Sequence, residues 1–348
     1  MDGAMDEAMD GAMEEETQAV LDTAARVFAD HAETPAALWS ALEETGLTLA
    51  ATPEAQGGVG LPPEAVVALH RAAGSAASPA PLPDTLTARR LLAAAGLPAP
   101  DGPLALALGG TVSAGRYSGD LIEVPFGAEA EHLVALAETD GAPVVALLRT
   151  AHAEATPRSG AGEDPLADLV FDAAPVAASA PVPWDAEALE AEAALMRAAQ
   201  IAGALEAALD LTLEHTTTRE QFGRPLSKVQ AIQHMLAEMA GEIAAASAAV
   251  EAAAETAGPT SPPDRLAAAA AKLRASEAAG LVAAHAHQAH GAIGYTHDYA
   301  LRRFTRRLWR WRDDWGDESY WAVVIGRAMA APNAPSLRAR IFGEPDGR

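Results

Sequence analysis

No cysteine occurs anywhere in this chain, which rules out disulfides, thiolate metal ligands and a cysteine nucleophile together. Aromatic residues are scarce, 5% of the 348, while half of all residues are apolar. The core must therefore be built mainly from Ala, Leu and Val. Alanine in that abundance favours closely packed helices, because it loses no side-chain entropy and permits near approach. No apolar run reaches the ~20 residues of a membrane span, and the N-terminus is acidic rather than basic and then apolar. A cytoplasmic protein without membrane contact is the expectation. Positive charge is the other shortage. A net charge of −24 repels phosphate-rich partners at long range and argues against nucleic acid. It leaves room for a small anionic ligand held by local basic residues.

Residues 1–16 repeat an acidic unit (MDGA, MDEA, MDGA, MEEE) with no core face, which reads as a disordered acidic tail. From 17 to 96 the apolar positions recur at helical spacing, among them Val20, Ala24, Val27, Phe28, Leu38, Trp39, Leu42 and Leu47. The glycine-rich stretch Pro53 to Leu61 interrupts this helical domain. It lacks the lysine and the preceding strand of a phosphate-binding loop, and a tight inter-helix turn is the better reading. From 97 to 183, short apolar runs (Leu104–Leu108, Leu121–Val124, Leu133–Ala137, Pro143–Leu148) alternate with Gly, Pro and Asp, the pattern of a small β domain. From 184 to 342 five or six helices are expected, with Asp264 placed to cap one of them, and 343–348 form a tail. The fold class is thus α+β, mostly α: a helical N-terminal domain, a reduced middle β domain and a C-terminal bundle of four-helix type.

Candidate chemistry lies in the bundle. Arg219 follows a helix expected from about Ala186 to Thr217, and a guanidinium at a helix end suits a diphosphate; pairing with Glu214 or Glu220 is the structural alternative. Phe222 could equally be core. His285, His287 and His290 invite a metal reading, but only 287 and 290 share a helical face, so three ligands do not converge and no metal is expected. Arg302, Arg303, Arg306, Arg307, Arg310 and Arg312 form a basic island, read as a helix whose arginines meet neighbouring carboxylates at a packing interface.

Two strings, Arg219-Glu-Gln221-Phe222-Gly223-Arg-Pro225-Leu226 and Gln288-Ala-His-Gly291-Ala292-Ile-Gly294-Tyr295-Thr296-His-Asp298-Tyr299, resemble in order and separation the C-terminal domain of the acyl-CoA dehydrogenases. The Pro53-Glu-Ala-Gln-Gly57-Gly58-Val-Gly60 turn and the Pro81-Leu-Pro83-Asp84 run are similar to segments of that family's N-terminal domain. The resemblance extends from Thr17 onward and is densest over 215–300. It implies FAD as cofactor, with Arg219 on the pyrophosphate of a neighbouring subunit's FAD, Gln221, Phe222 and Gln230 against the same cofactor, and Gln288 and Gly291 near its AMP portion. Ala292 stands where the family loop has a second glycine.

The family reaction removes the α-proton of an acyl thioester while FAD takes the β-hydrogen as hydride, which needs a carboxylate in a dry pocket. Where the resemblance places that glutamate, this chain has Trp315, between Asp314 and Gly316-Asp317. Some family members carry the base on the first bundle helix; the matching position here is about Ala193, with Glu190 and Glu192 nearby. Asp314, Asp317 and Glu192 are therefore the candidate relocated bases, though each of them, like Glu190, reads first as a solvated surface carboxylate. The flavin-holding segments of the middle domain are unrecognisable, Gly109-Gly-Thr111-Val-Ser113 being the nearest remnant. The resemblance, closest to short divergent members that include paired unlike subunits in steroid or lipid breakdown, implies an acyl-CoA dehydrogenase subunit. Its expected partners are an acyl-CoA thioester, a homologous unlike subunit that supplies the base, and an electron-acceptor flavoprotein. A self-sufficient homo-oligomer, a non-catalytic scaffold and a flavin monooxygenase are the alternatives.

Overall fold

A computed structural model describes residues 17–31, 34–160, 162–221 and 223–331. The acidic repeat at 1–16, the tail at 343–348 and Phe222 lie outside the described residues. The N-terminal region holds α1 (residues 17–30), α2 (Pro35–Glu44), α3 (Pro63–Ser75) and α4 (Leu82–Ala94). Pro35 and Pro63 open their helices, where a missing N–H leaves no bond unmade. Ala24, Val27, Phe28, Leu38, Leu42 and Leu47 are buried in one cluster with Leu69 and Leu86, as the helical spacing predicts. The Pro53–Leu61 stretch is a turn: Gly57 and Gly60 take φ of +82° and +69°, and a side chain on Gly58 would overlap Thr52.

The middle of the chain forms one sheet in the order β5-β6-β2-β1-β3-β4-β7, with β1 (Leu104–Ser113), β2 (Arg116–Pro125), β3 (His132–Thr139), β4 (Ala142–Arg149), β5 (Glu154–Arg158), β6 (Leu166–Pro175) and β7 (Ala178–Pro181). Only β1 and β3 run parallel; the other neighbours are antiparallel. All four apolar runs of this region fall in strands. β5 and β7 carry too few large apolar residues to announce themselves in the sequence. The ladder shifts between Leu108 and Thr111, where Gly109 and Gly110 take positive φ. A side chain on Gly110 would overlap the Tyr117 ring, and the Tyr117 hydroxyl donates to the Gly109 carbonyl at 2.8 Å. The Gly109-Gly110 remnant thus makes room for a tyrosine of the sheet's own core.

The C-terminal region comprises α5 (Ala186–Thr218), α6 (Gln230–Ala254), α7 (Arg265–His290), α8 (Leu301–Asp313) and α9 (Glu318–Ala330). Asp185, Asp264 and Asp317 cap α5, α7 and α9 by accepting from backbone N–H groups. Alanine dominates the buried seam of α5, α6 and α7. Between α5 and α6 the chain makes a two-residue hairpin, Glu220–Gln221 against Arg224–Pro225, then a 3-10 turn at Leu226–Lys228; the sequence suggests only a turn there. The opposite face of the sheet packs on α4 and on Trp184 and Leu189.

Candidate functional site

Arg219 is the C-cap of α5, its N–H bonded to the His215 carbonyl at 2.9 Å. One helical turn back, His215 shares its face. At the end of α7, Gln288 is exposed and Gly291 stops the helix with φ +65° and ψ −144°, a conformation open essentially only to glycine. Ala292 follows inside the 3-10 turn Gly291–Tyr295. It is not among the positive-φ residues, so its methyl group strains nothing. These two helix ends enclose a cleft of about 500 Å³ lined by His215, Arg219, Gln221, Leu226, Ile232, Gln288, Ala289, His290, Gly291, Ala292 and Ile293. Arg219, Gln221, Gln288, Gly291 and Ala292, read from the sequence as cofactor residues, therefore converge. Gln230 begins α6 and does not line the cleft.

The side-chain charges of this cleft favour an anion, against the C-terminal dipole ends of α5 and α7. Among the described residues no aspartate or glutamate lines it and no carboxylate pairs with the Arg219 guanidinium, so neither Glu214 nor Glu220 neutralises it. His215 and His290 stack at 4.4 Å between centroids. Burial holds His215 below the ordinary imidazole range, and His290 and Arg219 push the same way. Burial also lowers His290, against the carbonyls of Ala286 and Leu211. Neither histidine stands out in the sequence as part of this cleft, where His290 invites only a metal reading. The spacing of four between His215 and Arg219 was the available signal. The other two histidines of the metal question turn elsewhere: His285 meets Glu238 at 2.7 Å, and His287 meets the Thr305 hydroxyl at 3.0 Å.

A second cleft of about 480 Å³ lies between the sheet and the end of α8, lined by Leu106–Leu108, 120–125, Arg310, Asp313, Asp314 and Trp315. Three of its charged groups are bound into one network. Arg310 meets Glu123 at 2.6 Å and Asp314 at 2.7 Å, and Asp314 meets Arg197 at 3.2 Å. Trp315 sits at φ +57°, a strained conformation for an aromatic residue. Its side chain packs on the cluster of Leu92, Leu104, Leu106 and Val134. The acids Asp120, Glu123, Asp313 and Asp314 outnumber Arg310 on these walls, an environment that repels a diphosphate.

Each carboxylate weighed as a relocated base has a structural partner, and burial of Asp314 and Glu192 overturns their reading as solvated surface groups. Asp314 is buried between two guanidiniums; Asp317 accepts from the Tyr320 N–H at 2.8 Å. Glu192 is buried against Arg90 at 2.6 Å, and Arg90 also donates to the Gly258 and Ser261 carbonyls. Glu190 accepts from the Tyr320 hydroxyl at 2.6 Å and pairs with Arg265. Between α3, α4 and α5 the cavity beside His70, Arg90 and Glu192 measures only about 10 Å³, too small for a substrate. The α8 arginines behave as expected: Arg302 meets Glu163 at 2.7 Å, Arg307 meets Asp164 at 2.9 Å, and Arg312 pairs with Glu318.

Comparison with known proteins fits this geometry. The acyl-CoA dehydrogenase C-terminal domain matches residues 186–310. The acyl-CoA dehydrogenase IpdE2 of Mycobacterium tuberculosis is 30% identical over 315 residues, covering 84% of this chain and 91% of that protein. A 39% identical match to 3-sulfinopropanoyl-CoA desulfinase of Paraburkholderia xenovorans spans 30% of this chain and 26% of that one. In structure, a variant of the Tcur3481–Tcur3483 steroid acyl-CoA dehydrogenase superposes with TM-score 0.82 at 27% identity, covering 90% and 97% of the two chains. The ChsE4–ChsE5 complex of Mycobacterium tuberculosis also gives 0.82, at 24% identity over 92% and 98%. The chain belongs to the acyl-CoA dehydrogenase family, whose members are FAD-dependent oxidoreductases. No helix among the described residues is long and apolar enough to cross a membrane.

Proposed function

We propose that this chain is the subunit of a heteromeric acyl-CoA dehydrogenase that completes the FAD site of an unlike, related partner, the partner supplying the catalytic base and the acyl pocket. The observation that carries the reading is an asymmetry. The cleft between α5 and α7 offers a guanidinium with no carboxylate partner among the described residues, two amide side chains and a glycine-opened backbone, with no acid on its walls. The cleft below the sheet has Trp315 where the family resemblance places the base, and its Arg310, Glu123 and Asp314 are paired with one another or with Arg197. FAD, when bound, takes the β-hydrogen of the acyl thioester as hydride. This chain's part is to hold it: Arg219 on the diphosphate, Gln221 and Gln288 as amide donors, and Gly291 leaving the backbone approachable. The similarity to proteins named as pairs of chains, one of them a steroid acyl-CoA dehydrogenase, supports unlike subunits and a fatty or steroid acyl-CoA as substrate. An electron-acceptor flavoprotein would reoxidise the cofactor.

The test is native isolation of the assembly, with subunit identification by mass spectrometry and flavin counted by absorbance. Two unlike chains and a flavin content that falls with Arg219→Ala are expected. Loss of one charge-assisted contact, about 1.5–3 kcal/mol, corresponds to roughly 10- to 100-fold weaker FAD binding. A homo-oligomer that carries one FAD per chain and oxidises an acyl-CoA by itself would overturn the division of labour. An assembly without flavin would mark the chain as a scaffold.

A further inference from the structure

In the α5–α7 cleft, His290 is only 6% exposed. Its Nδ1 lies 2.7 Å from the Ala286 carbonyl; a carbonyl can only accept, so Nδ1 carries the proton. Among the described residues its buried Nε2 makes no hydrogen bond, an arrangement that costs free energy, and the Leu211 carbonyl beside the ring favours its protonation. The ring stacks on His215, with the Tyr299 ring edge-on to both at 5.2 and 6.4 Å.

We propose that His215 and His290 act as a proton-linked anion sensor, the pair taking up one proton when the diphosphate of a dinucleotide enters the cleft and so adding a second positive charge beside Arg219. The inference rests on the diphosphate reading of the cleft and concerns how that site is regulated. The groups facing the pair are Arg219 and the Leu211 carbonyl on α5, His287 and the Ala286 carbonyl on α7, and Tyr299 with Glu214 beyond it. Among the described residues no carboxylate lines the cleft; burial lowers both histidines and Arg219 adds to the lowering of His215, so without an anion the pair is neutral near neutral pH. A bound diphosphate reverses the sign of the local field and favours imidazolium. Two imidazoliums at stacking distance repel, so the pair holds one proton rather than two. The anion raises the bound-state proton affinity above that of the free state, so ligand affinity rises as pH falls, by up to about tenfold per unit for one linked proton.

Calorimetric titration of the chain, alone and in its flavin-stripped assembly with the partner, with ADP-ribose and with FAD between about pH 6 and 8 tests the proposal. Both probes carry an internal diphosphate without the second ionisation near 6 of a phosphomonoester. Buffers of different ionisation heat report the protons taken up. Proton uptake approaching one per ligand, and affinity that strengthens toward acid pH, are expected. His290→Gln and His215→Gln should each lower the proton count and flatten the pH profile. Histidine ring signals followed by NMR in the unmutated protein give the same reading if a variant fails to fold: two rings should titrate at higher pH once ADP-ribose is bound. Binding that weakens in Arg219→Ala but shows no proton uptake and a flat pH profile overturns the sensor and leaves the diphosphate site standing. Absence of binding to either probe at any pH, by the chain and by its flavin-stripped assembly with the partner, overturns both.

Discussion

Lys272 lies fully buried in α7, and its ammonium donates to the Arg312 carbonyl at 2.7 Å, the Gly316 carbonyl at 2.8 Å and the Ser276 hydroxyl at 3.2 Å. It thereby ties down the turn that holds Trp315 at positive φ. Burial pulls its pKa down to about 8, with Asp314 and Glu318 opposing. The sign of the linkage follows. Below that value the lysine is charged in both the folded and unfolded states, and the folded state bears the cost of burying the charge. Between about 8 and the ordinary 10.5 the unfolded chain binds more protons, so stability rises with pH. Lys272→Met should remove that rise in urea unfolding curves measured across this window. It should also lower stability near neutrality by about 1–3 kcal/mol, because two carbonyls lose their donor. A variant that keeps the alkaline rise would show that another group produces it. Nothing in the sequence around 272 marks this lysine as buried; its partners lie some forty residues on, at 312 and 316, and only folding brings them to it.

At the scale of elements, the crossing of α3 and α5 depends on two glycines. A side chain at Gly74 would overlap the Gln200 carbonyl, and one at Gly203 would overlap the Arg71 carbonyl. Each helix thus presses its backbone into the gap left by the other. Gly203→Ala should destabilise by about 1–3 kcal/mol, because backbone cannot yield as a side chain can. Around Gly241, within α6, a methyl group would meet nothing within 4 Å; Gly241→Ala should instead stabilise by up to about 1 kcal/mol through helix propensity. Thermal unfolding of the two variants checks both signs, and equal shifts would refute the close crossing. Helical periodicity made α1 to α4 and the bundle legible in the sequence, and Asp264 was legible as a cap. Which helices touch was not, because a glycine in a helical stretch looks the same whether it faces solvent or another backbone.

Across the whole molecule, a chain of charges, buried at Arg197, Asp84 and Asp314 and exposed at Glu123, joins the regions. Arg197 of α5 binds Asp84 of α4 at 3.0 Å and Asp314 after α8 at 3.2 Å, and Arg310 links Asp314 to Glu123 of β2. Burial raises the pKa of Asp84, with Arg197 opposing. Breaking one partner of such a set leaves an uncompensated buried charge, which costs several kcal/mol. Asp314, the residue before Trp315, is held in this set by Arg197 and Arg310. Restoring a carboxylate at position 315, as Trp315→Glu, should therefore give no acyl-CoA oxidation by the chain alone in a dye-reduction assay. Turnover by that variant would show that the cleft admits substrate and would favour a self-contained site.

The sequence by itself determined the family, the fold class and five of the eleven residues that line the α5–α7 cleft (Arg219, Gln221, Gln288, Gly291 and Ala292), because the Arg219 and Gln288 strings are local and their chemistry depends on neighbours along the chain. It also determined that Trp315 cannot act as a base. The tertiary structure alone decided which charges are spent on one another and which remain free. Glu192, Asp314 and Asp317 are alike in sequence as candidate acids, yet each meets a different partner: Arg90 for Glu192, Arg197 and Arg310 for Asp314, and a helix N-terminus for Asp317. Arg219 among the described residues meets no carboxylate, and His215 and His290, far apart along the chain, come into stacking contact. Pairing depends on distance in space, and distance in space follows from how α5 and α7 pack.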